Sequence, residues 1–310
     1  MNVGSVCVSH SPLRDRNRPD PDKEARFDAA IAEAGRFVAD RKPDLAVVFY
    51  PDHVNGFFYN LMPSFCIGVE GRSVGDYGTA AGELDIPSQQ AMDLARFVLD
   101  AGVDVAISYD MKVDHGAVQP LEWFMEGHSH LPVIPIFINC ACDPRPSFDR
   151  VRALGKAVGH WARENSLRVL MVGSGGLSHD PPMPTIEGAD STMRQRLIGG
   201  SELNHKFRLA RQSGAHREGR AMADGRSSLL PPNAKWDKDL MAAFLAGDLT
   251  VLDGVADEDI TLIGGRGGHE VRAWVAALAT LEPGYEATEL FYDVIDEWIT
   301  GMGMLHAVDA

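Results

Sequence analysis

The amino-acid sequence predicts an α/β protein: a central, largely parallel or mixed sheet flanked by helices, followed by a helical C-terminal part. Three observations carry this. Short β-branched apolar runs alternate with segments of helical period over the first 180 residues. Beyond that point the helical period dominates. No fixed-period repeat or low-complexity linker divides the chain, so residues 1–310 read as a single catalytic-size domain.

The elements follow from local chemistry. Val3 to Val8 is an apolar strand leading into Ser9-His10-Ser11-Pro12. Arg14 to Pro21 is polar loop, and Asp22 to Asp40 places Phe27, Ala30, Ile31, Ala34, Phe37 and Val38 on one helical face. Pro43 ends that helix. Leu45 to Tyr50 is a second strand, stopped by Pro51, which cannot donate to a sheet ladder. Asn60 to Pro87 reads as a long Gly-, Pro- and Ser-rich loop with one hairpin, of the kind that carries function. Ser88 caps a helix running to Leu99 and stopped near Gly102. Val103 to Ser108 is a third strand, Leu121 to Met125 a short helix, and Val133 to Ile138 a fourth strand in which Pro135 lowers the order or places a bulge.

Phe148 to Glu164 is helical and Arg168 to Val172 is a fifth strand. Helices follow at Asp190 to Ile198 and Asn204 to Asp224. In so acidic a chain, the basic face of the second (Lys206, Arg208, Arg211, Arg217, Arg220) reads as a solvated or subunit-contact face. Pro231-Pro232 breaks the chain before helices at Asp237 to Ala246, Asp257 to Ile263 and Glu270 to Leu281. Phe291 to Gly303 has aromatic anchors and no clear period.

Composition excludes several function classes. A net charge of −15 argues against nucleic acid and against an anionic membrane surface, both of which need Lys and Arg. No apolar run approaches the about 18 residues that span a bilayer, and Met1 to Leu13 lacks a basic signal-peptide n-region. Cys7, Cys66, Cys140 and Cys142 are too few and too apolar in context for a disulfide framework, which indicates a reduced, cytoplasmic setting. Cys140 and Cys142 lack the second pair a zinc knuckle needs. Gly173-Ser174-Gly175-Gly176 follows a strand but is not G-x-G-x-x-G, and no G-x-S-x-G elbow occurs.

What remains is a recurrent pattern. Four of the eleven histidines, His10, His53, His115 and His179, each follow a strand candidate within a few residues. Any one of them alone is ordinarily structural. Four at the carboxyl edge of one sheet would meet, and that edge is where open α/β sheets build their sites. Imidazole is both the commonest metal ligand and a base near neutral pH, so two ligands and two acid–base groups make chemical sense. A catalytic metal also needs an anionic ligand. Glu270 is available, although its spacing alone is that of an ordinary carboxylate at a helix N-terminus. His269-Glu270 begins H-E-x-x-H, but position 273 is alanine.

Ser9-His10-Ser11-Pro12, Pro51-Asp52-His53-Val54-Asn55-Gly56-Phe57-Phe58-Tyr59, Val113-Asp114-His115-Gly116 and Gly173-Ser174-Gly175-Gly176-Leu177-Ser178-His179 resemble the class III extradiol ring-cleavage dioxygenases. Within that family the likeness is to the branch acting on catechols with a carboxyethyl side chain. It runs from Val8 to Trp298 and includes Asp76-Tyr77-Gly78, Ala80-Ala81-Gly82-Glu83-Leu84 and Gly268-His269-Glu270-Val271; Arg14 to Asp22 and the tail beyond Gly303 match less well. The resemblance implies Fe(II) held by His10, His53 and Glu270, with His115 and His179 as the acid–base pair. It implies Asp114 as a partner orienting the His115 region, and His269 outside the ligand set. A small-molecule catechol and dioxygen would be the substrates, and the protein a homo-oligomer. Arg14, Arg16, Arg18 and Lys112 lie nearest these motifs in sequence as partners for the substrate carboxylate, and each could equally face solvent. Two rivals keep the same site: a zinc-dependent hydrolase using bound water, and a non-catalytic binding protein.

Overall fold

The computed structural model describes residues 3–125, 131–199 and 205–310. His128, His130 and Asn204 lie outside the described residues. The strands are β1 (Val3–Val8), β2 (Leu45–Tyr50), β3 (Phe65–Gly68), β4 (Gly71–Val74), β5 (Ala81–Glu83), β6 (Ala106–Ser108), β7 (Met111–Val113), β8 (Val133–Ile138), β9 (Val169–Ser174), β10 (Glu286–Ile295) and β11 (Thr300–Val308). The helices are α1 (Pro21–Arg41), α2 (Ser88–Asp100), α3 (His115–Phe124), α4 (Phe148–Glu164), α5 (Ser191–Gly199), α6 (His205–Ala223), α7 (Ala234–Leu245), α8 (Asp257–Gly264) and α9 (Val271–Leu278). No helix among the described residues is long and apolar enough to cross a membrane.

Eight strands form one mixed sheet in the order β10-β11-β1-β9-β2-β8-β3-β6. Its centre, β1-β9-β2-β8, is parallel, and every residue of these four strands is buried. Burial on both faces is what continuous Val/Ile/Leu runs are suited to. Alternation along β2 divides the core: Val47 and Phe49 pack with α2, α4 and α9, whereas Val48 and Tyr50 pack with α1, α3 and the C-terminal strands.

The sequence reading holds for the central strands and the long helices. The helix read as Leu121 to Met125 starts earlier, at His115, the strand read as Val103 to Ser108 is shortened to Ala106–Ser108, and there are four larger differences. Pro135 neither bulges nor disorders β8, because the ladder to β3 covers only Ile136–Ile138 and Gly68 leaves room for the proline ring. The loop read from Asn60 to Pro87 contributes β3 to the main sheet and β4 with β5 to a small second sheet, completed by β7. α2 begins at Ser88 itself, with Pro87 in the cap position and no side-chain cap. The ambiguous stretch from Phe291 to Gly303 is a strand pair, so the helical C-terminal part ends in β10 and β11, of which β11 pairs antiparallel with β1 and β10 antiparallel with β11. A bulge between Glu289 and Phe291 interrupts the alternation there.

Helix α4 meets α9 and the residues just after it at glycines: a Cβ at Gly155 would lie 2.2 Å from the Ala276 carbonyl oxygen of α9. A Cβ at Gly159 would lie 2.0 Å from the Thr280 carbonyl oxygen, whereas one at Gly35 in α1 would lie 3.7 Å from its nearest neighbour, an ordinary contact. Gly159→Ala should therefore destabilise the protein by about 1–3 kcal/mol in urea unfolding. Gly35→Ala should be neutral or stabilising by up to about 1 kcal/mol. Equal behaviour of the two variants would refute the close α4–α9 approach.

Candidate active site

Three adjacent parallel strands, β1, β9 and β2, end at the same edge and deliver His10, His179 and His53 there. Beyond β2, the Asp52 carboxylate accepts the backbone N–H groups of Asn55, Gly56 and Phe57 at 2.9, 3.0 and 3.1 Å, which curls the loop. Gly56 is required in that curl, because a Cβ would lie 2.0 Å from the Lys112 carbonyl oxygen. The segment after β9 turns through small residues for the same reason. Cβ atoms at Gly176 and Gly267 would lie within 2.3 and 2.0 Å of the His179 ring. The His179 backbone is then fixed by N–H donation to Gly264 and by a bond accepted from Gly267, both 2.9 Å.

His115 arrives differently. The sequence reading placed all four histidines at ends of one sheet, but the strand before His115 is β7, in the small sheet, and His115 opens helix α3. Its position comes from a helix start capped by Asp114, whose carboxylate accepts from Gly116 N at 3.0 Å.

One rule unites the four imidazoles: each is tied at Nδ1. His53 Nδ1 donates to Asp114 Oδ2 at 2.9 Å, and His115 Nδ1 to Asp76 Oδ2 at 2.6 Å. His179 Nδ1 donates to the Leu177 carbonyl at 3.0 Å. His10 Nδ1 lies 3.0 Å from Ser174 Oγ. Ser174 gives its only proton to the Gly116 carbonyl, so His10 must be the donor in that pair. Every Nε2 is thereby left as the open nitrogen. The rings of His10, His53 and His115 have centroids 4.4–5.3 Å apart. Glu270, at the end of the 3-10 turn Arg266–Glu270, faces them: its Oε1 lies 3.4 Å from His53 Nε2 and 3.2 Å from His179 Nε2, while Oε2 accepts from Gly176 N at 2.8 Å.

Burial pushes the His10 imidazole well below the usual histidine range. Burial also opposes charge on His53, but the Asp114 carboxylate, with Glu270, outweighs it and raises His53 well above that range. His179 is raised in the same way, against burial, by Glu270. Burial would lift Glu270, yet His179 and His53 hold it well below the usual carboxylate range. Open nitrogens and an ionised carboxylate at such separations are the donor set of a divalent cation. Among the described residues, His10, His53 and His115 bring ligand atoms within 4.8 Å of one another, as do Asp76, Asp114 and His115, and Glu270 stands 3.4 Å from His53 beside the first trio. In the second trio both carboxylates are already engaged by the imidazole N–H groups.

The structure thus brings together all six residues singled out in the sequence, with one exchange of partners. Asp114 orients His53, not His115: its Oδ2 also accepts His53 N and Asn55 Nδ2, each at 2.9 Å. The clamp on His115 is Asp76, which binds its backbone N–H at 2.8 Å as well as its ring. Asp76 and Ser174 stood inside quoted motifs, but no spacing rule joins them to histidines 39 and 164 residues away. His269 makes its bonds away from the cluster, to Thr261 Oγ1 and Arg272, each at 2.8 Å, and burial with the nearby Arg145 and Arg272 lowers its pKa to about 3.

The pocket over this cluster is closed by Tyr77, by Trp298, Ile299 and Thr300 from the turn that joins β10 to β11, and by Arg208 and Arg211 of α6. Arg14 turns instead to Asp28 and to the Phe27 and Trp123 rings, Arg18 pairs with Glu24, Arg16 is exposed, and Lys112 is not in the lining. The solvated reading of the basic α6 face holds for exposed Arg217 and Arg220 and fails for Arg208 and Arg211. The Lys206 side chain lies outside the described residues.

A mixed α/β sheet with a histidine–carboxylate cluster at the carboxyl edge of its parallel strands defines a metal-dependent enzyme of the ring-opening dioxygenase class. The family model described as the catalytic LigB subunit of aromatic ring-opening dioxygenase matches residues 4–303, and the chain belongs to that family. It is 45% identical over 310 residues, 99% of each chain, to a 2,3-dihydroxyphenylpropionate/2,3-dihydroxicinnamic acid 1,2-dioxygenase of a Rhodococcus species. A protein of the same name from Mycobacterium sp. (strain MCS) is 46% identical over 99% of this chain and 98% of its own. A crystal structure of an uncharacterised Escherichia coli K12 protein shares the fold, with a TM-score of 0.53 and 12% identity over 98% of both chains.

The partner assignment is measurable without turnover. In long-range 1H–15N spectra, Asp114→Asn should move the His53 Nδ1 resonance and Asp76→Asn that of His115. A response of His115 alone to the Asp114 change would restore the pairing read from sequence.

Proposed function

We propose that this protein is a non-haem Fe(II)-dependent extradiol dioxygenase that opens the ring of 3-substituted catechols. Its substrates are 3-(2,3-dihydroxyphenyl)propionate and the cinnamate analogue, which it converts to a 2-hydroxy-6-oxo-dienedioate. The observation that carries this reading is the set of four Nδ1-tethered imidazoles at one pocket, two of which, His53 and His179, turn Nε2 toward the Glu270 carboxylate. The names of the relatives, at 45% identity over nearly the full length, support the substrate.

His10, His53 and Glu270 would hold the iron, the ion displacing the proton that Asp114 and Glu270 favour on His53; two imidazoles and one carboxylate are the set that leaves positions open for further ligands. When bound, the iron supplies the point where catechol and dioxygen meet and the route for electrons between them. The chain's own groups handle protons and position. His115 and His179 present Nε2 to the pocket: one takes the proton of a catechol hydroxyl, and the other returns a proton to oxygen as the ring opens. Asp76 fixes the tautomer of His115, as the Leu177 carbonyl does that of His179, so each has its proton-exchanging nitrogen aimed at the substrate. Asp114 and Ser174 do the same for the two metal-binding imidazoles. Trp298, Ile299 and Pro181 keep water from the ring.

Residues 1–310 act as one catalytic domain in this reading, since the site draws on residues from His10 to Glu270. Four buried free thiols suit the cytoplasm. The proposal extends to a homo-oligomer, the assembly that the family resemblance in the sequence implies.

Anaerobically Fe(II)-reconstituted protein given 3-(2,3-dihydroxyphenyl)propionate should consume one dioxygen per catechol and form a yellow product, and a zinc-loaded sample should not. His115→Ala and His179→Ala should retain iron and lose about 10²–10⁴-fold in kcat. His53→Ala should fail to retain iron. Full activity with zinc, or in both proton-transfer variants, would refute the assignment.

A further inference from the structure

Arg208 and Arg211 are the only arginine or lysine side chains among the described residues lining the pocket. They lie three residues apart on α6, where side chains share a face. Both are half-buried, and neither joins an ion pair with a described carboxylate, in a chain that carries 44 Asp and Glu against 29 Lys and Arg. By contrast Arg145, Arg152, Arg266 and Arg272 are each paired. One N–H moors each pocket guanidinium to backbone: Arg211 to the His53 carbonyl at 3.0 Å, and Arg208 to the Val74 carbonyl at 3.3 Å. Arg208 Nε is buried with no partner.

Two like charges on one helical face repel, and a buried N–H without an acceptor costs about 1–3 kcal/mol. An anion between the two guanidinium groups removes both penalties. The planar fork of N–H donors matches a carboxylate in particular. The histidine cluster lines the same pocket, so a ligand with a metal-binding head and an acidic tail can meet both groups.

We propose that Arg208 and Arg211 bind the carboxylate of the substrate side chain and set the requirement for an acidic 3-substituent. The assignment deepens the function proposed above and rests on it. Arg211 also couples the arginine pair to the histidine cluster, because it grips the backbone of His53.

Two measurements test it. In the first, kcat/KM for 3-(2,3-dihydroxyphenyl)propionate relative to 3-methylcatechol is compared in the parent and in Arg208→Gln and Arg211→Gln. The ratio should fall roughly 10- to 100-fold in each, the worth of one charged hydrogen bond, mainly through KM. Arg208→Lys should recover part of the loss. In the second, calorimetry follows binding of 3-phenylpropionate and of its amide, neither of which has a catechol to cleave. The parent should prefer the acid, and both glutamine variants should lose that preference. An unchanged ratio, or variants that hold the acid as tightly as the parent, would overturn the carboxylate site. Absence of ring cleavage with every catechol, with the acid preference intact and Arg-dependent, would instead overturn the function and leave the carboxylate site standing.

Discussion

The rest of the structure depends on the Nδ1 tether. A free imidazole can present either nitrogen and rotate about two bonds, and four of them in one buried pocket would have many arrangements. Here each ring has one nitrogen committed to a fixed acceptor: a carboxylate for His53, another for His115, a hydroxyl for His10 and a backbone carbonyl for His179. Only one convergent arrangement of the remaining nitrogens is left. The acceptors come from different places: the end of β9, the N-terminus of α3, a 3-10 turn and the glycine-rich loop. Site geometry and fold are therefore the same problem. A buried polar network of this kind is stable only when every member is satisfied, and this one is closed by Asn55, Gly116 and Gly176 as well as by the rings.

Much of this was legible in the amino-acid sequence. The four central strands are continuous apolar runs, and α1, α4 and α7 have clean periods, because burial on two faces or on one stripe writes itself directly into residue order. His10 and His53 follow their strands within three residues, so the sheet edge places them without further information. The strand pair β10 and β11 was hidden because β10 has mixed exposure, a bulge offsets its register, and β11 contains Gly301 and Gly303. β7 is three residues long and belongs to a sheet assembled from distant segments. His115 was found for an incomplete reason: the strand read before it, Val103 to Ser108, is β6 of the main sheet, whereas β7, which leads directly into it, was not read.

The pairing of acids with histidines was the least legible feature. Asp114 is adjacent to His115 in sequence, and adjacency suggested a partnership. A helix cap prevents it, since the Asp114 carboxylate turns back over the first turn of α3 and meets His53 across the loop. The basic residues of α6 misled in the opposite direction. Their spacing is that of a solvated face, and only the folding of α6 over the sheet edge separates Arg208 and Arg211 from their exposed neighbours. A strongly acidic protein can thus hold a locally cationic mouth above its active site.

The most direct test of the account is anomalous diffraction at the iron edge from crystals of the anaerobically reconstituted protein. A single peak within bonding distance of His10 Nε2, His53 Nε2 and the Glu270 carboxylate, with His115 and His179 left uncoordinated across the pocket, is the expected result. A peak held by Asp76, Asp114 and His115, or one that takes His115 in place of Glu270, would contradict it and remove the basis for assigning His115 to proton transfer.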